Sequence, residues 1–238
     1  MSTWNDVPYL SKHGMTKKTA TAQRREDSLS RERIIEASIE LLDSDGESGL
    51  TFRALSERLA TGPGAIYWHV ANKGELLAAA CDAIVARAID VHLVEATPEV
   101  TIRTLALSMF DAIDTHPWVG SALTRALGQL PVVRILERIG QQVQILDVPV
   151  EEQWATTSAI LNYIFGAGGQ NADNVQSAQT RGIDRSQFLK IVSAAWKQLD
   201  PDEYPFARSI AEKLRGHDDR ADFLKGIDLI LAGIGSAR

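Results

Sequence analysis

The chain has 238 residues, of which 45% are hydrophobic, 24% charged and only 6% aromatic. This balance fits a globular protein built as a small domain joined to a larger one, with Ala, Leu and Ile favouring helices over sheets, so an all-α class is expected. A formal charge of −6 excludes a generally basic, charge-driven nucleic-acid binder. The lone Cys81 excludes an intramolecular disulfide and any C-x-x-C metal spacing.

The acidity is unevenly placed. Residues 1–75 carry 10 Lys+Arg and 11 Asp+Glu, leaving 15 and 20 for the rest. Within the first part, Tyr9 to Arg25 holds Lys12, Lys17, Lys18, Arg24 and Arg25 and no acid. Residues 1–29 are therefore expected to form a basic, disordered arm that is able to touch phosphates. The N-terminus has no apolar run of signal-peptide length and no stretch approaches about 18 uninterrupted apolar residues. A cytoplasmic protein that neither leaves the cell nor spans a membrane is expected.

From Ser30, a small or apolar face (Ile34, Ile35, Ser38, Ile39, Leu41, Leu42) predicts a first helix, capped by Ser30 and ended by Gly46. Thr51 caps a second, short helix with Phe52, Leu55, Ser56 and Leu59 inward, ending near Ala60. Thr61-Gly62-Pro63-Gly64 breaks the chain. A third helix of about two turns then starts at Pro63, whose missing N–H costs nothing in a first turn. Ile66 and Val70 face back onto the first two helices as core, and Trp68 can join them. Asn72 with Glu75 three residues on is a capping-box arrangement that starts a fourth helix, expected to reach about Val94.

Further helices are predicted at about Val100 to Thr115, Val119 to Leu130, Pro131 to Leu146, Pro149 to Gly166, Arg185 to Leu199, Phe206 to Leu214 and Arg220 to Ile234. Prolines and glycines mark the joins. The polar, weakly periodic Gln170 to Gly182 reads as a loop. Gly166, Gly168 and Gly169 either permit close helix approach or fray a helix end.

Two short helices joined by a tight turn make a helix-turn-helix, whose second helix lies in the major groove of DNA. Spacing alone is a weak signal, because such pairs also occur in helical cores. The residues add specificity. Leu50-Thr51-Phe52-Arg53-Ala54-Leu55-Ser56-Glu57-Arg58-Leu59, followed by Gly64-Ala65-Ile66-Tyr67-Trp68-His69-Val70-Ala71-Asn72-Lys73-Gly74-Glu75-Leu76-Leu77, resembles the DNA-binding domain of the tetracycline-repressor (TetR) family. The likeness covers about 50 residues; beyond it only a helical layout is similar.

The resemblance implies a DNA-binding domain at 30–75 and a ligand-binding and dimerisation domain at 76–238. By position it implies that Thr51, Tyr67, His69 and Lys73 contact phosphate and that Arg53 reads a guanine through its O6/N7 edge. Gly64 and Ala65, with Pro63, fall where the family varies its base contacts, and here they offer only apolar contact. A second departure is Ala60 where many such units have Gly, which demands a turn avoiding positive φ. The family also implies a homodimer held by two helices per subunit. The best candidates are Glu151 to Gly166 (Trp154, Ile160, Leu161, Ile164, Phe165) and the last helix (Phe223, Leu224, Ile227, Ile230, Leu231, Ile234).

Candidate ligand-lining residues are Phe110, His116, Trp118, Trp154, Asn162 and Tyr163, with Asn171 and Trp196, a mixture of apolar walls and a few polar anchors. The metal-binding residues of tetracycline-sensing members have no match, so no metal, cofactor or tetracycline is implied.

The leading expectation is a dimeric repressor that binds double-stranded palindromic operator DNA, with half-sites roughly 34 to 36 Å apart, and is released by a small hydrophobic effector. A ligand-independent DNA-binding regulator or activator would share the first domain and differ in a closed second one. An α-helical enzyme is the remote alternative: His13, His69, His92, His116 and His217 show no metal spacing, and Cys81 has no nearby histidine partner in sequence.

Overall fold

A computed structural model describes residues 29–91, 95–125 and 128–236; the expected basic arm, save Leu29, lies outside the described residues. No strand occurs among them. Helix α1 (Arg31–Gly49) starts at Ser30, whose Oγ accepts from Arg33 N, and is broken at Gly46, where φ is 66°. Its buried face carries Ile34, Ala37, Ser38, Leu41 and Leu42. Ser38 fits there because its hydroxyl donates to Ile34 O at 2.7 Å.

Helix α2 (Phe52–Arg58) is capped by Thr51, whose Oγ1 accepts from Ala54 N at 3.1 Å. Helix α3 (Pro63–Tyr67) is a single short turn-and-a-half, closed by His69 N and Val70 N donating to Ile66 O. It is shorter than the sequence pattern suggests: Trp68 keeps helical angles only as the C-cap, and Asn72 caps the next helix four residues on. Leu55, Ile66 and Val70 seal α2 and α3 onto α1. Each fully buried aliphatic contributes about 1.5–3 kcal/mol.

Two sequence expectations fail in this unit. Ala60 does take positive φ, at 50°, so the turn keeps the glycine-like geometry despite its Cβ. Trp68 is 91% exposed and not core. In a helix a residue two positions from Ile66 points about 200° away, so burial of Ile66 and Val70 turns Trp68 outward.

Helix α4 (Lys73–Ile89) begins with Asn72 Oδ1 accepting from Glu75 N at 2.9 Å, while Glu75 Oε2 accepts from Ala71 N at 2.8 Å. It ends at Ile89, short of the expected Val94; residues 92–94 lie outside the described residues. Helices α5 (Pro98–Thr115), α6 (Trp118–Arg125), α7 (Leu130–Ile145), α8 (Val150–Thr180), α9 (Arg185–Lys197), α10 (Pro205–Ile210) and α11 (Asp219–Ser236) complete the fold. A 3-10 turn spans Lys213–Gly216, where the sequence pattern suggested that one helix would continue to Leu214. Helix α6 is described as far as Arg125, residues 126–127 lie outside the described residues, and Gly128 takes φ 87° before α7, so the expected continuation to Leu130 is not kept.

One apolar core runs from Ile34 through α4 to Leu231. α5, α7 and α8 pack closely together, α4 leans on α5 and α7, and α11 lies across α5 and α8. Two further ties fix α4: Arg134 of α7 grips Asp82 through two nitrogens at 2.7 and 3.3 Å, and Arg87 pairs with Glu36 of α1.

The largest correction concerns α8. It runs 31 residues through Gly166 and the expected Gln170–Gly182 loop, ending at Thr180 before Gly182 at φ 66°. The C-terminal half hides a stripe of small and polar residues, in which Gly168, Asn171, Ala172 and Ala178 are buried. A Cβ at Gly168 would sit 2.9 Å from Ile113 Cδ1, and one at Gly120 3.2 Å from Gly169 Cα. Gly168 therefore serves the close approach of α8 to α5, and Gly120 that of α6 to α8, whereas a Cβ at Gly166 or Gly169 would meet nothing within 4 Å; since α8 runs on to Thr180, none of the three frays a helix end.

Candidate nucleic-acid interface and ligand cavity

The outer face of the helix-turn-helix gathers the predicted contact residues. The Arg53 side chain is 90% exposed and its Nε donates to Glu57 Oε1 at 2.9 Å, one helical turn on. Such an exposed i,i+4 pair is worth about 0.3–0.5 kcal/mol, enough to orient the guanidinium and little to withdraw. Tyr67 is 53% exposed, with its ring stacked on Phe52 at 4.1 Å and 8°. That stack holds the phenol on the outer face without burying its hydroxyl.

Thr51 is exposed at the start of α2, and its Oγ1 already caps the helix, leaving its hydroxyl hydrogen to donate outward. Gly64 is exposed, Ala65 is half-buried, and a Cβ at Gly64 would meet nothing within 4 Å, so the start of α3 is open to an approaching surface. His69 is half-buried. It adds a little to the field that holds the Glu32 carboxyl below its ordinary range, an effect due chiefly to the N–H groups at the start of α1 and to the Ser30 hydroxyl. Lys73 is exposed and its Nζ donates to Glu47 O, tying the start of α4 to the end of α1. Trp68, beside Tyr67, is the large side chain on this face that sequence reasoning placed inside.

The second site is a cavity of about 380 Å³ among α5, α8, α9, the 3-10 turn and α11. Its apolar lining includes Phe110, Tyr163, Phe188, Leu189, Trp196 and Phe223. Phe223 lies between two near-parallel rings, Phe110 at 4.5 Å and Tyr163 at 5.4 Å. Tyr163 Oη donates to Phe223 O at 3.2 Å, and Gly226 makes this possible, since a Cβ there would collide with the phenol. Burial, helped by the nearby Asp222 charge, pushes the Tyr163 phenol above its ordinary range, so it remains a neutral donor.

Polar groups enter from two directions. Gln170, Asn171 and Asn174 project from the C-terminal half of α8, and Arg185, His217, Asp219 and Asp222 form a charged rim. Arg185 pairs with Asp219; His217 lies 2.9 Å from Asp219 through Nε2 and 2.8 Å from Asp222 through Nδ1. Lys225 also donates to Asp222 at 2.8 Å, the main reason that this carboxyl lies below its ordinary range.

Of the residues the sequence offered for this role, Phe110, Tyr163, Asn171 and Trp196 line the cavity. Trp154 is 68% exposed near the start of α8 and Asn162 is exposed on the same helix. His116 and Trp118 meet elsewhere: His116 Nδ1 lies 2.8 Å and Trp118 Nε1 2.7 Å from the same oxygen, Asp43 Oδ1 of α1. The two sites are linked at that junction. Buried Asn171 reaches from the cavity to Asp114 Oδ1 at 2.7 Å, in the last turn of α5, two residues before His116. Arg125 of α6 adds a pair to Glu47 at 2.6 Å. No helix among the described residues is long and apolar enough to cross a membrane, and no metal-holding cluster occurs among them.

An outward-facing helix-turn-helix on a larger helical domain with a cavity opening among its helices defines a class of DNA-binding transcriptional regulators. The family of bacterial regulatory proteins, tetR family, matches residues 34–80. The fold is similar to that of the transcriptional regulator SCO7222, a TetR from Streptomyces coelicolor, at 51% identity and a TM-score of 0.78, covering 88% of this chain and 99% of that one. Tetracycline repressor protein class D of Escherichia coli is 28% identical over 214 residues, 86% of this chain and 88% of that protein. The crystal structure of the Streptomyces coelicolor TetR family protein ActR in complex with actinorhodin shares the fold at 19% identity and a TM-score of 0.70, over 88% and 96% of the two chains. The chain belongs to the TetR family of transcriptional regulators.

Proposed function

We propose that the protein is a cytoplasmic, homodimeric repressor that binds a palindromic operator through residues 30–75 and is released when an effector enters the cavity of residues 76–238. The observation that carries this reading is the hydrogen-bonded path from that cavity to the DNA-binding unit. Asn171 holds Asp114, and the α5–α6 junction beyond it grips Asp43 of α1 through His116 and Trp118. An effector that draws Asn171 away from Asp114 shifts the junction and with it the setting of α1. By linkage, such a ligand lowers DNA affinity by the factor by which DNA lowers ligand affinity.

Dimerisation is assigned to α8 and α11. Their outer faces expose Ala155, Ala159, Asn162 and Gly166 beside Leu229 and Ala232. An apolar groove of about 340 Å³ lies between them, lined by Val148, Ala155, Ala159, Ile230, Gly233 and Ile234. Small residues on paired helices let a second copy approach closely, and Asn162 is then an interface residue and not a ligand contact. On DNA, Arg53 reads base edges, Thr51, Tyr67, His69 and Lys73 dock on phosphate, and Gly64 and Ala65 admit the groove wall.

A ligand-independent regulator would need no void, and the cavity favours the sensor. ActR, which shares this fold, forms a complex with the small molecule actinorhodin, and that supports a sensing role for the larger domain without naming the effector of this chain. The test is a gel shift at fixed salt with DNA from the chain's own promoter region, together with sedimentation of the free protein. A shifted band and a dimer are expected; a monomer that leaves the DNA unshifted refutes the reading.

A further inference from the structure

We propose that residues 1–28 make a second DNA contact, in which their cations neutralise backbone phosphates next to those docked by His69 and Lys73. The inference rests on the operator-binding reading above and goes beyond it, since that reading leaves the electrostatics of binding without a source. Three observations carry it: the charge of the DNA-binding unit, the pairing of its cations, and the point at which the chain enters it.

The unit is acidic. Residues 29–75 hold five Lys+Arg and eight Asp+Glu, and residues 76–238 hold 15 and 20. Duplex DNA carries one negative charge about every 1.7 Å, and much of a protein's affinity for it comes from cations that displace its counterions. A body with this charge balance is repelled before it docks.

The cations of the unit are already committed. Arg58 pairs with Glu40 at 2.6 Å, Arg53 with Glu57 at 2.9 Å and Arg31 with Glu75 at 3.5 Å, while Lys73 donates to Glu47 O. Arg33 is engaged as well. Of the docking residues, Thr51 and Tyr67 bring a hydroxyl and no charge. Such contacts fix register on the duplex and release few counterions.

The missing charge lies just upstream. Residues 7–25 hold Lys12, Lys17, Lys18, Arg24 and Arg25 and no acid. This segment joins the fold at Leu29, beside the proposed docking residues. Arg31 reaches Glu75 in the first turn of α4, two residues after Lys73, and Glu32 lies within the field of His69. A chain spans at most about 3.6 Å per residue, so Arg25, four residues before Leu29, reaches up to about 14 Å from it and Lys12 up to about 60 Å. Both reach several phosphates of a docked duplex. Phosphate recognition needs charge and little fixed geometry, so the segment is a source of affinity and not of sequence choice.

The test compares the full-length protein with a full-length variant carrying Lys12→Gln, Lys17→Gln, Lys18→Gln, Arg24→Gln and Arg25→Gln together. Both are titrated by fluorescence anisotropy over a series of salt concentrations, on promoter DNA and on an unrelated duplex. With about three of these cations per protomer of a dimer on phosphate, their loss flattens the slope of log Kd against log salt by about 5. The two proteins are expected to differ at least about a hundredfold at low salt and to converge at high salt, which a folding defect would not produce. The ratio of affinities for promoter and unrelated DNA should be unchanged, because phosphates carry no sequence information. Exchanging Lys for Arg and Arg for Lys at the same five positions should keep the original slope, and its loss counts against the proposal. Parallel salt curves overturn the proposal, and the segment's charge is then spent off the DNA, on acids of the protein such as Glu32. A ratio that collapses with the charge overturns it too, since the segment would then read bases. Failure of the unaltered protein to bind the promoter DNA at any salt refutes the regulator reading itself, and this proposal falls with it.

Discussion

Two aromatic groups, one in each domain, face opposite ways. In the DNA-binding unit Tyr67 and Trp68 stand outside a sealed aliphatic core of Ile34, Leu42, Leu55 and Ile66. In the larger domain Phe110, Phe223 and Tyr163 turn inward around a void. Under the function proposed above, the contrast reflects the partners. A DNA groove receives a convex body whose contacts are fixed before it docks, whereas a small ligand needs a concave site with contacts that can be exchanged.

The sharpest break of that contrast is a void where none should be. Ile66→Ala removes a fully buried side chain that places α3 in the core shared with α1 and α2. It is expected to cost about 2–5 kcal/mol in chemical denaturation and to abolish the promoter shift. Asp43→Ala comes next, because it leaves Trp118 Nε1 and His116 Nδ1 without their shared acceptor. A loss of about 1–3 kcal/mol is expected. Its diagnostic effect is functional: the mutant should bind promoter DNA while losing most of its release by effector, read as the ratio of Kd with and without ligand. Full release would show that the signal travels by another route.

Arg53→Ala tests the outward face without touching the core. A bidentate guanine contact is worth about 1–3 kcal/mol, so operator affinity should fall by about tenfold or more while affinity for unrelated DNA changes little. Uniform weakening on both DNAs would make Arg53 a phosphate contact instead.

The DNA-binding unit is readable because its chemistry is local. Ser30, Thr51 and Asn72 cap the helices that the sequence assigns to them, and Gly46 breaks α1, since caps and breakers act within a few residues. Even the outward turn of Trp68 follows from spacing once Ile66 and Val70 define the inner side. The second domain hides its longest helix. Its buried stripe of Gly168, Asn171, Ala172 and Ala178 has little hydropathy, so the segment resembles a loop. Small residues are buried there because Ile113, Gly120 and Asp114 fill the space from other helices, a long-range fact with no local signature. The same holds for the cavity. Phe110 and Tyr163 are legible as apolar candidates, but Asp43 claims His116 and Trp118 from α1, more than 70 positions away.

Cys81 sharpens the contrast at the level of solvent access. It is buried in α4 with its thiol pushed up to about 12, chiefly by desolvation and further by Asp82. The raised value favours the protonated native form, so the unfolded chain loses its proton first, near the ordinary thiol value. Stability is therefore unaffected by this group below about pH 8.5 and falls as pH rises toward 12. At pH 8 the native thiol should react with a disulfide reagent at least about a hundredfold more slowly than the urea-unfolded chain. Comparable rates would mean that the junction of the two domains opens readily.

The smallest expected effect lies in the turn between α2 and α3. Ala60 holds φ at 50°, where an L-residue's Cβ crowds the backbone, and yet the turn is kept because Leu59 N, Ala60 N and Thr61 N all donate back into α2. Ala60→Gly relieves that crowding but gives the unfolded chain more freedom, and the two effects oppose. Since left-handed geometry costs alanine about 1–2 kcal/mol and the added freedom costs less, a net gain of about 0.5 kcal/mol is expected. It should appear as a small rise in denaturation midpoint with operator affinity unchanged, because the turn sets the angle between α2 and α3 and its geometry is already that of glycine. A fall in stability would mean that the turn of the free protein holds a different φ, and that the angle between these two helices is set by contact with DNA.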